Sequence, residues 1–288
     1  MFEGAYTAIV TPFNSAGEVD FECYTKLVQR QIDSGIDGIV PVGTTGESPT
    51  LNVDEHLRVI ETTVELCRNK VKVIAGTGAN ATAEAVELTT RAAEIGVDGS
   101  LQVTPYYNKP NQEGLYRHFS AVADLGLPIV LYNVPGRSAR AIDISTVARL
   151  AKHPNVAAVK EAGGSVDRVS QIMNACEIEV LSGDDSLTFP MMTVGATGVI
   201  SVTSNLIPRQ VADLVHYALE GQWTEAVALH QSLYSLFNAM FIDTNPIPVK
   251  AALAMMGLIE EEYRLPLCTI SEDLKARLRR ELERMSIL

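Results

Sequence analysis

The sequence predicts a (β/α)8 barrel followed by a C-terminal helical extension. Three observations lead there. Short β-branched or apolar runs alternate with amphipathic stretches, the pattern of buried parallel strands joined by helices. Eight such units follow one another, and eight is the number that closes a barrel. After Gly221 the alternation gives way to nearly continuous helical periodicity. An open, doubly wound sheet is the alternative arrangement of the same units.

The strands are placed at Ala5–Val10, Gly38–Val42, Val71–Gly76, Gly99–Thr104, Pro128–Asn133, Val156–Glu161, Glu179–Ser182 and Gly198–Val202. Each interval between their starts accommodates one strand, one helix and two short loops. Asp20 caps a helix whose apolar face is Phe21, Tyr24, Leu27, Val28 and Ile32, and Gly35 stops it. Asn111 caps a later helix, with Glu113 in the first turn, where the helix dipole favours an acid. Gln222–Ile242, Pro246–Met256 and Ser271–Met285 read as three further helices, the last capped by Ser271. The chain therefore divides into a catalytic barrel over residues 1–221 and a helical extension over 222–288.

Composition narrows the function. With 23 Lys and Arg against 35 Asp and Glu, the net charge is −12. That balance excludes an obligate nucleic-acid binder and adhesion to anionic membranes, both of which need basic surface. The longest uncharged stretch, Ser186–Pro208, contains Pro190, Gly195, Gly198 and many hydroxyl side chains, so it reads as protein interior and not as a membrane span. Residues Met1–Ala5 lack the basic region and apolar run of a signal peptide. Cys23, Cys67, Cys176 and Cys268 are far apart and form no CxxC pair, so reduced thiols in a cytoplasmic protein are expected.

In a barrel, chemistry sits at the C-terminal strand ends, so the polar residues there are the candidates. Lys160 follows the apolar run Val156–Val159, which puts its amine beside a low-dielectric interior that disfavours the charged form. A neutral amine attacks carbonyls and forms a Schiff base. The plainer reading is a packed stem whose head meets water or Glu161. Tyr132 lies at the C-terminal end of the adjacent strand, where its hydroxyl either relays protons or is satisfied by backbone. Thr44 and Thr45 offer two hydroxyls on glycine-flanked backbone, suited to a carboxylate or to ordinary turn chemistry. Gly76-Thr77-Gly78-Ala79-Asn80-Ala81 matches a dinucleotide fingerprint, but no acid follows where a ribose would need one. The five histidines are scattered without metal-ligand spacing, so no metal is expected.

Taken together, these motifs resemble one family. Gly43-Thr44-Thr45-Gly46-Glu47, Tyr106-Tyr107-Asn108, Tyr132-Asn133-Val134-Pro135-Gly136-Arg137, Val159-Lys160-Glu161, Ser182-Gly183-Asp184-Asp185 and Asn245-Pro246-Ile247-Pro248-Val249-Lys250 are similar to the motifs of the 4-hydroxy-tetrahydrodipicolinate (dihydrodipicolinate) synthase family of pyruvate-dependent class I lyases. The similarity runs from Gly4 to about Pro266. It implies condensation of pyruvate with L-aspartate 4-semialdehyde, in the diaminopimelate route of lysine biosynthesis. Lys160 would carry the pyruvate Schiff base, and Tyr132 would move protons, with Thr44 and Tyr107 completing a relay. Thr45, Gly183 and the backbone around Ile200 would hold pyruvate, and Arg137 the carboxylate of the semialdehyde. The relay tyrosine of such enzymes crosses from a neighbouring subunit, which implies a homotetramer built as a dimer of dimers. No cofactor is implied beyond the covalent pyruvate imine. L-Lysine inhibits many relatives, and Ser48, His56, Asn80, Glu84 and Tyr106 match its site. Pro49 and Val53 depart from the Ala and His common in lysine-sensitive relatives. A sibling aldolase acting on N-acetylneuraminate or a 2-keto-3-deoxy sugar acid is the alternative; such enzymes usually differ at the position of Arg137.

Overall fold

The computed structural model describes residues 1–288. Eight parallel strands close a barrel in sequence order: β1 (Gly4–Ala8), β2 (Gly38–Val40), β3 (Lys72–Gly76), β4 (Gly99–Val103), β5 (Ile129–Asn133), β6 (Val156–Glu161), β7 (Glu179–Ser182) and β8 (Gly198–Ser201), with β8 pairing β1. Closure rules out the open sheet. β2 stops two residues short of the expected end. Pro41 has no N–H for the ladder, and Val42 turns away with φ of 48°. That conformation is an outlier for a β-branched residue, and it starts the loop that carries Thr44 and Thr45.

The outer helices are α1 (Phe21–Asp33), α2 (Val53–Cys67), α3 (Thr82–Ile95), α4 (Gln112–Ala123), α5 (Pro135–Ser138), α6 (Ile144–Leu150), α7 (Val166–Ala175), α8 (Thr188–Met192) and α9 (Pro208–Leu219). Their starts follow local chemistry. The Asp20 side chain accepts from Cys23 N–H, Asn111 from Gly114 N–H, and Asn52 forms a capping box with Glu55. The uncharged stretch from Ser186 contains α8 and the fully buried β8, as an interior segment should.

The main core cluster holds 62 buried residues, whereas the cluster within the barrel holds 12, so most burial lies between sheet and helices. Phe2 packs edge-on to Tyr6 within the barrel cluster.

The extension comprises α10 (Trp223–Ala239), α11 (Ile247–Met255) and α12 (Glu272–Arg284). The turn between α10 and α11 reaches the C-terminal mouth of the barrel, where Asn245 donates to Thr45 Oγ1 at 3.0 Å. Lys250, on α11, pairs with Glu47 at 2.5 Å, and both side chains are wholly buried. No helix is long and apolar enough to cross a membrane.

Candidate active site

Parallel register brings the first pair of residues together. Tyr132 lies opposite Lys160 across β5 and β6, and Asn133 opposite Glu161. Successive strand residues face opposite sides, so the first pair points into the barrel and the second toward the helices. The Lys160 amine sits 4.3 Å from the centre of the Tyr132 ring. Lys160 is only 6% exposed. The reading in which Glu161 pairs with it fails for a geometric reason. Glu161 faces the other side, where it accepts from Asn133 Nδ2 at 2.8 and 3.0 Å, from Gly163 N–H at 2.8 Å and from Arg168 Nε at 2.7 Å. That carboxylate is saturated, and it anchors the strand ends from behind.

A cavity at the barrel mouth is lined by Lys160, Tyr132, Thr44, Thr45, Arg137 and Gly183, together with Asp184, Val202, Phe241 and Asn245. Thr45 is buried and held by Asn245. Arg137 is an exposed rim residue on α5 that lines the cavity, and its Nη2 donates to the Asn245 carbonyl at 3.0 Å. Gly183 is small for a reason: a Cβ there would lie 2.6 Å from Ala162 Cβ and 2.9 Å from Lys160 Cε. Ile200 does not line the cavity. Its side chain is buried in the barrel core, and β8 reaches the cavity through the following Val202.

A second cavity adjoins the first and shares Thr44, Tyr132 and Arg137 with it. Its wall adds Ser48, Pro49 and Tyr106. Burial, and then the charge of Glu84, raise the Tyr106 hydroxyl above its ordinary range. The remaining residues matched to a lysine site are dispersed around this wall. His56 is buried on α2, with Nε2 2.9 Å from the Gly76 carbonyl, and burial lowers its pKa to about 4. Asn80 accepts from Asn108 Nδ2 through its carbonyl at 2.8 Å, and Glu84 is an exposed residue in the first turn of α3. Tyr107 is 91% exposed, with φ of 73°, and does not line either cavity of its own chain.

The glycines of Gly76–Ala81 serve packing. A Cβ at Gly76 would lie 2.5 Å from the Val42 carbonyl, and one at Gly78 would lie 2.3 Å from Val103 N. Close approach to neighbouring strand ends accounts for both glycines without a dinucleotide.

Comparison with known proteins decides the family. The model of the dihydrodipicolinate synthetase family matches residues 1–285. The chain belongs to the dihydrodipicolinate synthetase family. A relative from Pelobacter propionicus, named 4-hydroxy-tetrahydrodipicolinate synthase, is 54% identical over 281 residues, 96% of this chain and 97% of the relative. The structure of 4-hydroxy-tetrahydrodipicolinate synthase from Methylacidiphilum fumariolicum superposes with a TM-score of 0.98 at 52% identity, covering 99% of this chain and 96% of the other. The family's enzyme from Cyanidioschyzon merolae, solved with lysine bound, superposes with a TM-score of 0.96 at 39% identity, covering 100% and 99%.

Two parts of the site carried no assigned role from sequence. Asn245 stands in the Asn245–Lys250 segment, and only the fold shows it bridging Thr45 and Arg137. The pair Glu47–Lys250 likewise links the Gly43–Glu47 and Asn245–Lys250 segments across 203 residues.

Proposed function

We propose that this member of the dihydrodipicolinate synthetase family condenses pyruvate with L-aspartate 4-semialdehyde to give 4-hydroxy-tetrahydrodipicolinate, the reaction named for its curated relatives. It is an enzyme, a lyase. The observation that carries the reading is the Lys160 amine, buried against the Tyr132 ring at the floor of a cavity with Arg137 on its rim.

The chemistry follows from that arrangement. Lys160 Nζ adds to the keto carbon of pyruvate, and loss of water leaves a protonated imine. The imine withdraws electrons from the methyl group, which loses a proton to give an enamine. The enamine carbon attacks the aldehyde carbon, and the new alkoxide takes a proton. The substrate amine then adds to the imine carbon, closes the ring and releases Lys160. The imine is itself the electron sink, so this sequence calls on no cofactor.

Tyr132 moves the protons, with Thr44 and a Tyr107 supplied by a neighbouring subunit. The near-complete exposure of Tyr107 supports that crossing, and with it a homotetramer built from tight dimers. Thr45, Gly183 and the backbone near Ile200 receive the pyruvate carboxylate. Arg137 receives the carboxylate of the semialdehyde, for which a guanidinium fork is suited. L-Lysine binds beside Ser48 and Tyr106, with His56, Asn80 and Glu84 around them, and lowers activity, in a cytoplasmic enzyme of the diaminopimelate route.

Borohydride reduction in the presence of pyruvate tests the central step. The expected product is a single adduct on Lys160, absent from Lys160→Ala; an adduct on another lysine refutes it. A coupled assay with both substrates, with and without L-lysine, tests the rest. Equal lysine inhibition of the wild type and Glu84→Ala would place the inhibitor elsewhere.

A further inference from the structure

The substrate assigned above carries two charges that the named roles do not both meet. Arg137 answers its carboxylate, whereas nothing yet answers its α-ammonium. Among the side chains lining the reacting cavity there is one carboxylate, that of Asp184. The neighbouring acids are already engaged. Glu161 is saturated behind β6. Asp185 is buried and accepts from Val202 N–H at 3.1 Å, Thr203 N–H at 2.9 Å and Thr203 Oγ1 at 2.8 Å. The Asp184 carboxylate accepts a single hydrogen bond, from Gly164 N–H at 3.2 Å, and forms no salt bridge.

We infer that Asp184 receives the α-ammonium of the amino aldehyde and takes its proton before ring closure. The inference rests on the function proposed above and deepens it. An amino acid aldehyde needs a cation and an anion in one cavity, and Arg137 and Asp184 both line it. Burial raises the Asp184 carboxyl above its ordinary range, although the charge of Lys160 opposes this, so the group is suited to accepting a proton. In the step itself an ammonium N–H bond breaks and the proton goes to the Asp184 carboxylate. The freed lone pair forms the ring C–N bond at the imine carbon, and the imine π pair moves to Lys160 Nζ. A second proton passes from the ring nitrogen to Lys160 Nζ. The C–N bond to Lys160 then breaks, its electron pair stays on the lysine, and a cyclic iminium remains.

Succinate semialdehyde, which has the same chain without the amine, separates this role from a structural one. The readouts are kcat/KM for aspartate 4-semialdehyde, and the rate at which succinate semialdehyde adds to the pyruvate adduct, trapped on Lys160 by borohydride and read by mass. Asp184→Asn should lower the ratio of the first to the second about 100-fold, the scale for stranding one partner of a desolvated charge pair. Asp184→Glu, which keeps the charge, should retain most of it. Equal losses for both aldehydes, or an unchanged ratio, overturn the assignment. A wild-type enzyme that does not turn over aspartate 4-semialdehyde refutes the proposed function, and this inference with it. Turnover by the wild type with an unchanged Asp184→Asn ratio refutes only the role of Asp184.

Discussion

Removing the Lys250 ammonium should destabilise the protein far more than its single ion pair suggests. Lys250 Nζ and Glu47 Oε1 are 2.5 Å apart, and neither side chain has any exposed surface. At that distance and an effective dielectric near 20 the attraction is about 7 kcal/mol, while desolvating the two ions costs several kcal/mol each. As a unit the pair is therefore close to neutral. Taken singly, the partners are not. Lys250→Met keeps most of the side-chain volume but leaves the Glu47 carboxylate buried with only the Arg264 N–H at 3.3 Å. A stranded buried charge costs about 3–5 kcal/mol, which corresponds to roughly 6–20 °C in Tm for a domain of this size. Glu47→Gln combined with Lys250→Met removes both charges and should recover most of that loss. Thermal unfolding of the three proteins at pH 7 measures it. A loss below about 1 kcal/mol for Lys250→Met, or a double variant as unstable as the single, would refute the reasoning.

Two further outcomes are expected. Gly183→Ala drives a Cβ to within 2.6 Å of Ala162 Cβ and 2.9 Å of Lys160 Cε, so borohydride trapping of the pyruvate adduct should slow at least tenfold for roughly 1–3 kcal/mol of lost stability; an unchanged trapping rate would disprove the steric account. Acid should destabilise the fold between pH 6.5 and 4. Burial holds His56 and His118 at about 4, below the ordinary 6.5, so the unfolded chain binds more protons in that window and stability falls as pH drops through it, by about 3 kcal/mol per histidine. His216 works the other way, because the Asp37 carboxylate raises its pKa; its contribution is present below 6.5 and is lost as pH rises through the raised value. Urea unfolding against pH reads the slope, which His56→Gln with His118→Gln should flatten; an unaltered slope would mean other groups carry the acid loss.

The barrel was legible because its determinants are local. Each strand is a short apolar run, and each helix begins at a side chain such as Asp20 or Asn111 that satisfies its own first turn. Strand ends were less legible. Val42 leaves β2 through a left-handed conformation that nothing in a β-branched residue announces. Lys160 and Tyr132 could be paired from sequence because each stands one residue before the end of its strand, and adjacent parallel strands set such positions side by side. The same period of two also separates Glu161 from Lys160, although the sequence sets them next to each other. Asn245 had no such cue. Its partners, Thr45 and Arg137, lie 200 and 108 residues away, and only closure of the extension over the barrel mouth makes them neighbours.

Asp184 and Asp185 show where local pattern stops being informative. They are consecutive and chemically identical, and they follow the same strand. Asp185 turns inward and gathers three donors from the segment after β8, which fixes the wall of the cavity. Asp184 turns to the cavity and accepts one backbone N–H. A sequence reader sees a pair of acids. The difference is made by Val202 and Thr203, whose N–H groups meet Asp185 because β8 pairs alongside β7. An acid that closes a fold must have its lone pairs filled by the chain, whereas an acid that serves a substrate must keep some unfilled. Counting donors around each carboxylate therefore separates the two roles, and here the count is three against one.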